Sequence, residues 1–134
     1  MQGGGLLSAL AGKSDLVPSL AARAQGAYFV VTGVWPLISR RSFEAVTGPK
    51  TDFWLAQTVG VLVAGIGGVL LLADRNRRVT PELRVLGVAS AGGLALVDVA
   101  FSLRGRISRV YLADALVECA LVARWMAERR AASA

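Results

Sequence analysis

The feature that most limits how this chain can fold is an uncharged apolar run at residues 53–73, FWLAQTVGVLVAGIGGVLLLA. A membrane-spanning helix needs about 20 consecutive apolar residues to cross the roughly 30 Å hydrocarbon core. A second run, residues 83–103, has a similar length and is interrupted by Arg84 at its edge and Asp98 inside. The two runs predict an integral membrane protein.

Composition supports this prediction and excludes several classes of site. Hydrophobic residues make up 54% of the 134 residues even before the 15 glycines are counted, and only 18% are charged. A soluble domain of this size keeps too much surface exposed to hide that much apolar area. The single Cys119 excludes a disulfide scaffold. Because the chain has no His, no His-based metal site is available, and we expect neither a metal nor a cofactor.

Two weaker segments, residues 18–38 and 107–126, complete the predicted set of four spans. The first has Arg23 near its start and Pro36 near its end, where a proline costs few ladder bonds. The second carries Arg109, Asp114, Glu118 and Arg124, so a soluble helix is the alternative there. We favour a span, because the rest of the chain supplies no soluble partner for its apolar surface. The predicted fold class is all-α, an integral membrane four-helix bundle with antiparallel up-down topology.

Local signals set the boundaries of a single transmembrane domain over residues 1–134. The predicted helices are 18–38, 53–73, 81–103 and 107–126, with a polar loop at 39–52 and flexible tails at 1–15 and 128–134. Asp52 and Thr80 are expected to cap the second and third helices through their side-chain oxygens. The short link before residue 107 predicts that the last two helices are antiparallel neighbours.

Small residues recur at helical spacing on two of these segments. Membrane helices associate through such stripes because small side chains let the backbones approach closely. The predicted stripes are Gly60, Ala64 and Gly68 on the second helix, and Gly87, Ala91 and Ala95 on the third, with Ala89 and Gly93 on an adjacent line.

The acids inside the spans are the main candidate site. Ionisable groups within the bilayer are expensive and usually face the bundle interior. Asp98 shares the small-residue face of its helix. Asp114 and Glu118 lie one turn apart, so we expect the two carboxyl groups to interact. The stripe that contains them has 3-4-3-4 spacing and consists of Tyr111, Asp114, Glu118, Leu121 and Trp125.

Polar residues on the other two helices fall at the same depth. Gln57 and Thr58 lie one turn into the second helix, and Thr32 and Trp35 lie near the matching end of the first. We therefore predict a polar cavity beneath the 39–52 loop. The predicted ligand or proton site consists of Asp98, Asp114, Glu118, Tyr111, Gln57 and Trp35, with Glu44, Lys50 and Asp52 on a loop that covers it.

Several interpretations of the acids remain open. They could pair with Arg104, Arg106 or Arg109 in a structural ion pair, or meet a basic residue of another subunit. As a functional pocket, they would bind a small or amphipathic ligand, or pass a proton or cation. An accessory subunit of a membrane complex and a small membrane enzyme with acid–base carboxylates are the alternatives. A homo-oligomer would suit a transporter this short.

The basic residues point to the membrane and its orientation. The net charge is +6, and the Lys and Arg residues lie in loops and at helix ends, as they do in membrane proteins. We therefore expect no nucleic-acid partner. Lys and Arg number nine on the side of the termini and six on the other. Positive charge concentrates in the cytoplasm, which predicts a multi-pass protein of the cell membrane with cytoplasmic termini.

One stretch carries a resemblance. The string WPL at residues 35–37, followed by SFEAVTGPKTDFWL at 42–55, resembles a signature of small four-helix bacterial membrane proteins of uncharacterised function. The resemblance covers the first loop and its flanking helices, about half of the chain. It implies the four-span fold and brings no activity with it.

Overall fold

The computed structural model describes the backbone of residues 18–133, and within this range the chain is all-helical, with no strand. This confirms the predicted all-α class. The tail expected at residues 1–15 lies outside the described residues. The helices are α1 Leu20–Ile38, α2 Arg40–Thr47, α3 Phe53–Arg75, α4 Pro81–Leu103 and α5 Val110–Ser133.

The helix ends show which local signals operate. The Ser19 hydroxyl accepts a hydrogen bond from the Ala22 amide at the start of α1. The predicted cap at Thr80 is confirmed, since its side chain accepts from the Leu83 amide. The predicted cap at Asp52 is wrong, because the exposed Asp52 side chain makes no capping hydrogen bond to α3.

Two segments differ from the predicted boundaries. The 39–52 segment, expected as a polar loop, contains the short helix α2, which starts because Ser39 caps the Ser42 amide. The last helix begins at Val110 rather than 107, since Gly105 turns the chain with φ 72° and Arg106 bonds back to Phe101. It continues to Ser133, where a flexible tail was expected. Ala and Arg, which fill this end, are strong helix formers.

Backbone contact at glycines joins α1 to α3. A Cβ on Gly33 would lie 2.5 Å from the carbonyl oxygen of Gly60, and one on Gly67 would lie 2.7 Å from that of Gly26. The pairs run in opposite directions along the two helices, so α1 and α3 are antiparallel. The prediction that Gly60 lies at a helix interface is confirmed. The same prediction for Gly68 is wrong, because the space around Gly68 is open and Gly67 makes the contact instead.

The second helix pair, α4 and α5, is built around a large side chain against a small one. A Cβ on Gly87 would come within 2.7 Å of the Trp125 indole. Ala91 and Ala95 are buried on the same face, whereas Gly93, on the adjacent line, has nothing within 4 Å. The predicted neighbour relation of the last two helices is confirmed, since α4 and α5 pack together.

Carboxylates tie the start of α1 to the ends of α3 and α5. Asp74 accepts from the Ser19 amide at 3.0 Å and from the Arg23 guanidinium at 3.0 Å. Glu128 accepts from the Ser19 hydroxyl at 2.7 Å and from the Ala21 amide at 2.9 Å. Both ends of the described chain therefore meet at one end of the bundle, and α2 lies at the other.

Two helices, α3 and α4, are long and apolar enough to cross a membrane. Only about a quarter of the best apolar window in each is buried, 22% in α3 and 28% in α4. Large side chains such as Leu62, Val85 and Leu96 point outward with more than half of their surface exposed. Contiguous exposed apolar surface of this kind indicates an interaction with membrane or protein.

Adding a side chain at Gly67 tests the α1–α3 contact. We expect Gly67→Val to destabilise the protein by about 1–3 kcal/mol or more, the usual cost of overpacking, because the new atoms would meet the α1 backbone. Gly68→Val is the matched control, next in sequence and facing open space. Thermal unfolding in detergent measures both, and equal changes in Tm would contradict the contact.

Removing the carboxylate of Asp74 tests the tie at the start of α1. Asp74→Ala leaves the buried Ser19 N–H without its acceptor, so we expect a loss of about 1–3 kcal/mol. Asp52→Ala, at a helix start with no side-chain bond, should change stability by less than about 0.5 kcal/mol. Denaturation midpoints of the two variants give the comparison, and a loss at Asp52 as large as at Asp74 would refute it.

Candidate functional site

The three acids predicted as the site come together between α4 and α5. Glu118 is 1% exposed and Asp98 is 6% exposed, while Asp114 is half-buried. Asp98 lies five residues before the end of α4, about 7–8 Å at the helical rise. Asp114 lies four residues into α5. The acids therefore occupy the half of the bundle nearer α2, with Asp98 turned inward as predicted.

A tyrosine from α1 completes the cluster. The Tyr28 hydroxyl donates a hydrogen bond to Asp114 Oδ1 and lies within electrostatic range of all three carboxyl groups. Tyr28 is not among the site residues predicted from the sequence. The signal was present, because Tyr28, Thr32 and Trp35 follow 4-3 spacing and so share one face of α1. We name Tyr28, Asp98, Asp114 and Glu118 the acid cluster.

The acid cluster contains carboxyl oxygens without partners. Asp98 Oδ2 and Glu118 Oε2 are buried and accept no hydrogen bond. The groups that act electrostatically on Glu118 are the other two acids. Within residues 18–131, no ion pair joins Asp98 or Asp114 to Arg104, Arg106 or Arg109. The structural ion pair considered from the sequence is therefore not formed there.

Deeper in the bundle, a glutamine links three helices. The Gln25 amide nitrogen donates to the Gly87 carbonyl at 2.9 Å and to the Ser90 hydroxyl at 3.1 Å. Its oxygen accepts from the Trp125 indole at 2.6 Å. Gln25 is fully buried, and its polar groups are all satisfied. Gln25 is not among the predicted site residues, although an amide side chain within an apolar helix indicates an interior contact.

The predicted residues nearest α2 form a separate group. The Lys50 ammonium donates to the carbonyls of Thr47 and Gly48 and lies 5.4 Å and 5.3 Å from the ring centroids of Phe43 and Tyr111. Glu44 pairs with Arg40 at 3.3 Å and accepts from the Lys50 amide. The Trp35 indole donates to Ser42. These contacts hold α2 and the 48–52 segment over the end of the bundle.

Two predicted site residues stand apart. Asp52 is exposed to solvent. Gln57 makes no hydrogen bond to the acid cluster among the described residues. Gln57 is half-buried on α3, which packs against α1 rather than against α5. Helix pairing therefore separates Gln57 from the acids despite its matching depth.

Together these groups form a line of polar contacts along the bundle. On α5, the side chains of Tyr111, Asp114, Trp125 and Glu128 contact in turn those of Lys50, Tyr28, Gln25 and Ser19. Between them, Glu118 lies within electrostatic range of Asp98. Leu121, buried between Glu118 and Trp125, interrupts the line. Among the described residues, no three His, Cys, Asp or Glu side chains are arranged to hold a metal ion.

Comparison with protein-family models, with curated proteins and with solved structures gives no match.

Replacing Glu118 with Gln tests whether the acid cluster lowers the stability of the protein. Glu118→Gln should leave stability unchanged or raise it, because it replaces a buried carboxyl group that has an unpartnered oxygen and faces other acids. If Glu118 were held in a buried ion pair, the substitution would instead lower the free energy of unfolding by about 3–5 kcal/mol. The control is Glu128→Gln on the same helix, expected to lose about 1–3 kcal/mol because its oxygens accept from Ser19 and Ala21. Thermal unfolding near neutral pH measures both; a large loss at Glu118 would contradict the assignment.

Proposed function

We propose that this chain is a multi-pass membrane protein of four spanning helices that passes protons through its acid cluster. In this arrangement α1 and α5 cross the bilayer beside α3 and α4. Their lengths suit a span, since 19 and 24 residues rise roughly 28 and 36 Å. The meeting of Ser19 with Glu128 supports an even number of crossings, with both termini on one side.

The observation that carries the proposal is the pair of buried carboxyl oxygens without partners, on Asp98 and Glu118. Unsatisfied buried polar atoms are costly, and acids within a membrane are functional candidates for that reason. A carboxyl group with no cation beside it exchanges a proton without breaking a structural ion pair. This suits a group that must gain and lose protons repeatedly.

The order of polar groups supports a route. From the α2 end, Lys50 and Tyr111 come first, followed by Asp114 with Tyr28, and then by Asp98 and Glu118. On α1, Gln25 lies only three residues beyond Tyr28, a rise of about 4.5 Å. Ser19 and Glu128 lie at the far end. The hydroxyl of Tyr28 connects the first acid to the interior, which makes it the expected relay.

Burial argues against the alternative in which the acids bind a partner subunit. A basic side chain of another protein would have to reach Glu118, which is 1% exposed. A mainly structural subunit would also gain stability by losing this unpaired acid, so its retention suits an active site.

Proton flux into vesicles tests the proposal. The full-length protein is reconstituted into phosphatidylcholine vesicles that contain a pH-sensitive dye, and a potassium gradient with valinomycin drives proton entry. We expect faster acidification than in protein-free vesicles. In Glu118→Gln the rate should fall to the protein-free rate, and in Tyr28→Phe it should fall by a smaller factor.

Glu82→Gln is the flux control, because Glu82 is an exposed acid at the start of α4, away from the acid cluster. It should conduct like the wild type. Wild-type flux no greater than that of empty vesicles would reject the proposal. So would wild-type flux in correctly folded Glu118→Gln.

A further inference from the structure

A cavity of about 390 Å³ opens between the start of α4 and the end of α5, at the opposite end of the bundle from α2. Arg84 and Arg129 supply its charge, and Val85, Val88 and Met126 supply apolar walls. None of Tyr28, Asp98, Asp114 and Glu118 lines this cavity, so it is separate from the acid cluster.

The polar lining of this cavity favours an anion. Arg84 lines the cavity, and its buried Nε atom has no hydrogen-bond partner. Its N–H group is therefore a donor that an anion in the cavity would satisfy. The surrounding end of the bundle is basic: besides these two arginines it carries Arg75, Arg77, Arg78 and Arg130. Of the acids at this end, Asp74 pairs with Arg23 and Glu128 pairs with Arg124, and both also accept hydrogen bonds at the start of α1. Glu82 is exposed at the start of α4 and does not line the cavity. Guanidinium groups bind phosphate oxygens through parallel charge-assisted hydrogen bonds.

The apolar lining favours an acyl chain attached to that anion. Val85 and Val88 lead from Arg84 along α4, the helix with the exposed apolar surface of a membrane span. Further along, Gly92 and Gly93 have no heavy atom within 4 Å of where a Cβ would be. A chain that started at the arginines would therefore lie along an open apolar surface running toward the middle of the helix.

We propose that this cavity binds an anionic membrane lipid, with its phosphate on Arg84 and Arg129 and an acyl chain along Val85 and Val88. The inference rests on the membrane location in the proposed function and not on the proton route. The site combines a guanidinium with a buried, unpartnered nitrogen, a basic surrounding surface and an apolar wall. Basic pockets between helices at the cytoplasmic surface suit such head groups.

Lipid titration of the full-length protein in a neutral detergent tests the site. Native mass spectrometry counts bound phosphatidylglycerol and phosphatidylcholine in separate titrations. We expect phosphatidylglycerol to bind at least about tenfold more tightly, since its net charge is not offset by a choline group. The Arg84→Gln, Arg129→Gln double variant should weaken phosphatidylglycerol binding by roughly tenfold and leave phosphatidylcholine unchanged.

The matched control is the Arg104→Gln, Arg106→Gln double variant, which removes two exposed arginines from the other end of the bundle. It should bind phosphatidylglycerol like the wild type. If the first double variant fails to fold, Arg129→Glu, at an exposed position, gives the same readout through charge repulsion.

Three results would overturn the inference. Equal binding of the two lipids would mean an apolar groove without anion recognition. Equal loss in the control variant would mean general charge attraction. Competition by glycerol phosphate at the same concentration as the lipid would mean a site for soluble phosphate. Glu118→Gln should bind phosphatidylglycerol normally, so failure of the proton route and failure of the lipid site are distinguishable.

Discussion

The close contact of α1 with α3 is the constraint on which the interior depends. Gly26 and Gly33 are seven residues apart on α1 and face Gly67 and Gly60, also seven apart, on α3. Two contacts two turns apart fix the rotation of α1 about its axis. With that rotation, Gln25 and Tyr28, each of which immediately precedes a contact residue in the sequence, point away from α3. They hydrogen-bond to residues of α4 and α5. A larger side chain at either contact would push the helices apart and withdraw both polar groups from the interior.

Once the rotation of α1 is fixed, its two interior polar side chains belong to two layers of the bundle. Gln25 lies in one layer, and Tyr28 lies in the acid cluster. The Gln25 layer is satisfied, because the amide both donates and accepts, and it joins α1, α4 and α5. The acid cluster is not satisfied, because Asp98 Oδ2 and Glu118 Oε2 accept no hydrogen bond. Satisfied buried networks stabilise and orient a fold, whereas unsatisfied ones cost stability. This difference separates the structural layer from the candidate functional one, although both lie in the same interior.

The two ends of the bundle also differ. At one end, α2 and Lys50 lie beside Tyr111, which precedes the acid cluster on α5, and Lys50 is held there by aromatic and carbonyl contacts. At the other end, Asp74 and Glu128 close the start of α1, and arginines surround them. Carboxylates at a helix start satisfy amide groups that have no partner within the helix, which explains why these two acids are structural while the interior acids are not.

The sequence by itself determined that the chain is helical and where two apolar helices run, because length, hydropathy and capping residues are local properties. It also determined that Asp98 faces inward and that Asp114 and Glu118 share a face, because helical periodicity is fixed at 3.6 residues per turn. It did not determine the helix within residues 39–52, the absent cap at Asp52, or the exchange of Gly68 for Gly67. Only the tertiary structure decided which helices pair, and therefore that Tyr28 joins the acids while Gln57 does not. Pairing depends on how side chains on separate helices fit together, and one helix carries no record of the surface that will face it.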